Sequence, residues 1–80
     1  MKDEHLSRLK WRCRRGMREL DVMLSRYFDD EYPGSDPEHK EAFEILLTLQ
    51  DPEILDLLTG RVIAENRELQ HVVQRLLTND

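Results

Sequence analysis

A single cysteine, Cys13, excludes any disulfide within the chain, which suits a reducing compartment without requiring one. Long apolar runs are missing too: none exceeds the three residues Ile45-Leu46-Leu47, against the ~18 to 20 needed to span a bilayer. No signal-peptide core follows Met1, so a soluble, intracellular protein without membrane insertion is expected. The three glycines form neither GxGxxG nor a P-loop, leaving no phosphate-cradling loop. His5, His39 and His71 lie far apart and neither HExxH nor CxxC occurs, so no metal site is expected. Ser7 and Ser25 lack a GxSxG-type turn, and no catalytic residue is assigned. Period-two alternation of useful length is absent, which argues against a sheet.

What is present is charge on a helical pattern. Hydrophobic residues make up 39% and charged residues 36% of 80, which places the chain among single globular domains. A chain of this size buries only about 60% of the surface its unfolded form exposes, leaving little room for an internal active-site cavity. The net charge of −5 conceals an asymmetry. Residues 1–18 hold seven cations against Asp3 and Glu4, a local +5 that leaves −10 on the remainder. Such a basic segment fits an acidic protein surface or nucleic acid, but a pI near 5.1 argues against a phosphate-driven binder.

The periodicity predicts an all-α, compact bundle of five short helices filling one domain over residues 1–80. Leu6, Leu9 and Cys13 mark a first helix from about Asp3 to Arg15, with Trp11 on another flank and partly exposed. Leu20, Met23, Leu24, Tyr27 and Phe28 mark a second from about Met17 to Asp30. Tyr32-Pro33-Gly34 breaks the chain, and Asp36 before Pro37 opens a third helix that is expected to end near Gln50. Its apolar residues cover more than half its circumference. Asp51-Pro52-Glu53 repeats the start signal, and Gly60 stops a short fourth helix. The last helix, from about residue 62, carries Leu69, Val72, Val73, Leu76 and Leu77 and is expected to pack less tightly, as core or as a seam for another chain.

Cys13 sits on the first apolar stripe, which predicts a buried, inert thiol. Asp29, Asp30 and Glu31 lack the EF-hand pattern and read as a solvated helix end. The remaining feature is Gly16 in Arg14-Arg15-Gly16-Met17-Arg18-Glu19-Leu20-Asp21. Cations followed by glycine can simply end a helix, but that leaves Glu19 and Asp21 unexplained. A corner presenting backbone, guanidinium and carboxylate to a partner accounts for all of them.

Arg15-Gly16-Met17-x-Glu19-x-Asp21 resembles the RGMxExD signature of the small succinate dehydrogenase assembly factors, the FAD assembly (flavinylation) factors of bacteria and mitochondria. Trp11 and the cations upstream, the Leu-Met-Leu-x-x-Tyr-Phe stripe, and the segment from Phe43 to Glu53 are similar as well, so the resemblance covers about residues 5 to 61. One departure is Leu57-Leu58, where many members carry a tryptophan.

The resemblance implies a five-helix bundle, not itself an enzyme, that binds the flavoprotein subunit of succinate dehydrogenase or fumarate reductase. There it would promote covalent attachment of FAD without stably binding a cofactor. It implies the bacterial, cytoplasmic branch, some members of which are also named as antitoxins, so the alternative is a regulator, antitoxin-like or nucleic-acid-associated through the basic first helix. The partner-binding residues it implies are Arg15, Gly16, Glu19, Arg8, Trp11 and Arg12, with Met17 and Asp21 structural. The free protein is expected to be a monomer. Gly16 is expected at an exposed helix junction, and Arg15 and Glu19 are expected to be exposed without pairing to each other.

Overall fold

The computed structural model describes residues 2–78, so residues 1, 79 and 80 of the expected domain lie outside it. Five α-helices follow in order: α1 (Lys2–Arg12), α2 (Arg18–Asp30), α3 (Pro37–Leu46), α4 (Asp51–Thr59) and α5 (Arg67–Leu77). A 3-10 turn over Tyr32–Gly34 joins α2 to α3, and among the described residues there is no strand.

The core follows from the α2 and α5 stripes. Leu20, Leu24 and Tyr27 of α2 meet Ala42, Phe43 and Leu46 of α3 and the four buried residues of α5, Leu69, Val72, Val73 and Leu76. Phe43 is its aromatic centre, 4.8 Å from the Tyr27 ring and 5.7 Å from that of Tyr32. Far from packing loosely, α5 lies against α2, α3 and α4. It starts at Arg67 rather than near residue 62, because the Asn66 side chain caps it by accepting from Leu69 N at 2.8 Å. Residues 61–66 form a non-helical link.

Two other boundaries also differ from expectation. α3 stops at Leu46, and Leu47 to Gln50 turn away, so Ile45 is half exposed rather than packed on several sides. α4 is capped by Gln50 instead of Asp51: the Gln50 backbone N–H donates to the Glu53 carboxylate at 2.8 Å. That one-residue shift places Asp51 inside the first turn, where its carboxylate is free to face another element.

α1 lies at the edge of the bundle. Leu9 and Cys13 are buried, whereas Leu6, expected on the same stripe, is largely exposed beside an open groove between α1 and α2. Polar ties hold the helix down. Lys10 pairs with Asp29 at 2.6 Å, and His5 reaches Glu44 at 3.3 Å, where Tyr32 also donates at 2.5 Å. Just past the C-terminal end of α2, Glu31 bridges Arg26 at 3.1 Å and Arg75 at 2.7 Å. Burial opposes its ionisation, but those two guanidinium groups together hold its carboxyl below the ordinary value. The acidic cluster at residues 29–31 thus contributes two carboxylates to ion pairs across the fold, Asp29 and Glu31.

Candidate functional site

The signature occupies the connection between α1 and α2. α1 ends at Arg12, three residues before the expected Arg15, and the chain crosses to Arg18 through Gly16, whose φ is +88°. L-residues adopt that left-handed region at a cost, which is the backbone reason for glycine here. The surroundings impose no further constraint: a Cβ on Gly16 would meet nothing within 4 Å. Gly16 is exposed at a helix junction, as expected.

Arg15 is not. Its side chain is only 14% exposed, which corrects the expectation of a free guanidinium. Nε donates to Asp51 Oδ1 at 2.9 Å, Nη1 to the Leu47 carbonyl at 2.8 Å, and Nη2 to the Leu49 carbonyl. A planar fork of donors suits three acceptors in one turn, and the orphan carbonyls at the end of α3 need partners. Because α3 unwinds at Leu47 and Asp51 lies inside α4, these acceptors converge. The result is a clamp that fixes the α1–α2 connection on the α3–α4 turn. Arg15 and Glu19 indeed do not pair, but the reason is that Asp51 takes the guanidinium.

Asp21 completes the clamp. Its Oδ1 accepts the Arg15 backbone N–H at 2.6 Å, so the chain on either side of Gly16 is tethered while the glycine stays open. Met17, the residue before α2, is half-buried against the core and offers no side-chain cap. Glu19 lies exposed in the first turn of α2, beside the positive end of the helix dipole.

Beside Gly16 the exposed side of α1 presents Arg8, Trp11 and Arg12, and the connection that follows adds exposed Arg14. Trp11 is 71% exposed, with the Arg14 guanidinium carbon 5.9 Å from its ring centre. Among the described residues no ion pair engages Arg8, Arg12 or Arg14. The adjoining groove, about 640 Å³, is lined by Leu6, Ser7, Lys10, Trp11, Arg14 and Phe28. Among the described residues no His, Cys, Asp or Glu grouping could hold a metal ion, and no helix is long and apolar enough to cross a membrane. Sequence reasoning missed Asp51 and the Leu47 and Leu49 carbonyls. Only Asp51 left a trace in sequence, and it read as a helix cap.

The model of the family described as the flavinator of succinate dehydrogenase matches residues 7–80. The chain belongs to this flavinator family. It is 44% identical over 71 residues to an FAD assembly factor of Colwellia psychrerythraea, covering 89% of this chain and 78% of that protein. It is 42% identical over 69 residues to the FAD assembly factor of Methylococcus capsulatus, covering 86% and 83%. The counterpart in Coxiella burnetii is 35% identical over 69 residues, covering 86% and 84%. No solved structure gives a significant match. In this chain, then, the signature divides into a half-buried clamp of Arg15 and Asp21 and an exposed pair of Gly16 and Glu19.

Cys13, three residues from the signature glycine, is fully buried and donates to the Leu9 carbonyl at 3.3 Å. Burial pushes its thiol from the ordinary 9.0 up to about 11, despite the nearby Lys10 charge. The folded state therefore holds the proton more tightly than the unfolded chain. Its contribution to stability is whole below pH 9 and is lost as pH rises toward 11. At pH 8 a thiol reagent such as DTNB is expected to react only as fast as the chain opens; rapid stoichiometric reaction would contradict the burial.

Proposed function

We propose that this chain is an assembly chaperone for the flavoprotein subunit of succinate dehydrogenase, and of fumarate reductase, promoting covalent FAD attachment without catalysing it. The observation that carries this reading is an open left-handed glycine, held from beneath by the Arg15–Asp51 clamp and flanked by exposed Glu19 and the Trp11–arginine face. Nothing in that arrangement is a nucleophile or a proton relay. It is an exposed surface tethered from within and bordered by open grooves at Trp11 and at Glu19, suited to recognising another protein.

Covalent flavin attachment needs the isoalloxazine held against its acceptor, and the client can supply the reacting groups once correctly closed. A helper then need only bind the productive arrangement more tightly than others. Gly16 lets client backbone approach, Glu19 meets a client donor, and Arg8, Trp11 and Arg12 meet an acidic, partly apolar client surface. Arg15 acts by positioning the loop from within. The chain works as a cytoplasmic monomer that itself holds neither FAD nor nucleic acid.

Glu19→Ala is expected to leave the melting midpoint within about 4 °C of the parent, because Glu19 is exposed and its favourable place on the helix dipole contributes less than about 1 kcal/mol. It should nevertheless lower covalent flavin in the client, read by in-gel flavin fluorescence in cells carrying the variant as the sole copy. Undiminished flavin would remove Glu19 from the contact surface. The chaperone reading itself is tested by mixing the purified chain with the flavoprotein subunit, with free FAD and with duplex DNA. A stoichiometric complex with the subunit alone is expected, whereas micromolar FAD affinity would favour a transferase and a salt-steep DNA isotherm a regulator.

A further inference from the structure

The link between α4 and α5 carries three apolar residues in succession, Val62, Ile63 and Ala64, and folding packs Ala64 against the core but covers the other two poorly. Ile63 is 85% exposed and Val62 49%. Single exposed apolar side chains are ordinary, but these are contiguous with Ile45 on α3 and Leu49 in the α3–α4 turn, and together they line a groove of about 440 Å³. Its remaining rim is acidic. Glu53, Asp56 and Glu65 border it, no cation lines it, and among the described residues none of the three carboxylates is in an ion pair.

The groove also adjoins the signature loop. The Leu49 carbonyl is one of the acceptors clamped by Arg15, while Leu49 itself lines the groove, so the two surfaces are opposite sides of one turn. We propose that this groove is a second docking surface, receiving an apolar segment of the flavoprotein client flanked by lysine or arginine and continuing the signature-loop interface around the α3–α4 turn. This rests on the client assignment above. Charge complementarity selects the occupant: a basic flank meets three carboxylates that have no cation beside them, whereas an acidic one would be repelled. Two faces of opposite sign, basic α1 and the acid-rimmed groove, also allow only one orientation of the client. A second copy is the poorer occupant. Seating its basic α1 here would join unlike surfaces head to tail and leave both ends open to further addition.

The test uses the full chain and the purified flavoprotein subunit. Ile63→Asp should melt within about 4 °C of the parent, since the side chain is outside the core, and should weaken the complex about tenfold or more. Neutralising the rim with Glu53→Gln, Asp56→Asn and Glu65→Gln should slow association and flatten its dependence on salt. A benzoylphenylalanine at position 63 should crosslink to a client peptide with apolar residues beside Lys or Arg. Parental affinity of Ile63→Asp, while Gly16→Arg still destroys the complex, would overturn the groove and leave the client assignment standing. Crosslinking to a second copy, or to an acidic client peptide, would also overturn it. Failure of the parent chain to bind the subunit would remove the client assignment itself.

Discussion

Arg15→Ala is expected to lower the melting midpoint by about 10–20 °C, on a net loss of ~2–3 kcal/mol at ~4–8 °C per kcal/mol for a domain of this size. The side chain bridges the Asp51 carboxylate and the carbonyls of Leu47 and Leu49. Removing it leaves three partly buried acceptors to be satisfied by whatever water can reach them. The site is not fully buried, which keeps the figure below that for breaking a deeply buried ion pair, ~3–5 kcal/mol. Arg15→Lys should recover less than half of the loss, because an ammonium on a flexible stem cannot span acceptors arranged for a planar fork. Thermal unfolding followed by circular dichroism measures both variants. A shift below about 4 °C for Arg15→Ala would mean that water replaces the guanidinium and that the residue is available to a partner after all.

Gly16→Arg should behave in the opposite way, folding cooperatively while losing the flavoprotein complex by ~100-fold or more, since bulk at a contact centre prevents the surfaces from closing. Placing an L-residue at φ +88° costs ~1–2 kcal/mol, or about 5–15 °C in melting midpoint, but no clash adds to it because the space is empty. Gly16→Asn separates the two effects. Asparagine tolerates the left-handed region better, so stability should largely return while binding stays impaired. Normal affinity of the arginine variant, measured by calorimetry with the purified subunit, would show that the loop is not where the partner lies. Outright unfolding would instead make Gly16 a residue of the fold alone.

These expectations divide the signature differently from a reading of the residues in line. In sequence, Arg15 and Glu19 share the same grammar, charged groups one helical turn apart beside a glycine, and both read as exposed. The fold separates them. Arg15 turns inward because α3 ends at Leu46 and not near Gln50, which brings two free carbonyls and Asp51 within reach. That early stop was not legible, since Leu47 and Leu49 continue an apolar pattern whichever way the backbone turns. Asp51 was misread for a related reason: Asp before Pro is a standard helix start, and only the Gln50 backbone N–H bonding to Glu53 moves the cap back by one residue. Leu6 shows the limit of the periodicity argument itself. It lies on the stripe of Leu9 and Cys13, yet it is left exposed beside the open groove between α1 and α2.

By itself, the sequence determined the helical class, the five elements in order, the exposure of Trp11 and the need for glycine at position 16. Each of these rests on local physics: apolar spacing at the helical period, caps, breakers, and the backbone freedom of one residue. Only the tertiary structure decided that Arg15 and Asp21 hold the loop, that Gly16 and Glu19 are left to face outward, and that Val62 and Ile63 join Ile45 and Leu49 in one acid-rimmed groove. Those facts depend on partners more than thirty residues away for the guanidinium and on three separate elements for the groove. No local pattern carries them, because which carbonyls lack partners and which apolar faces lack cover are settled only when the helices have packed.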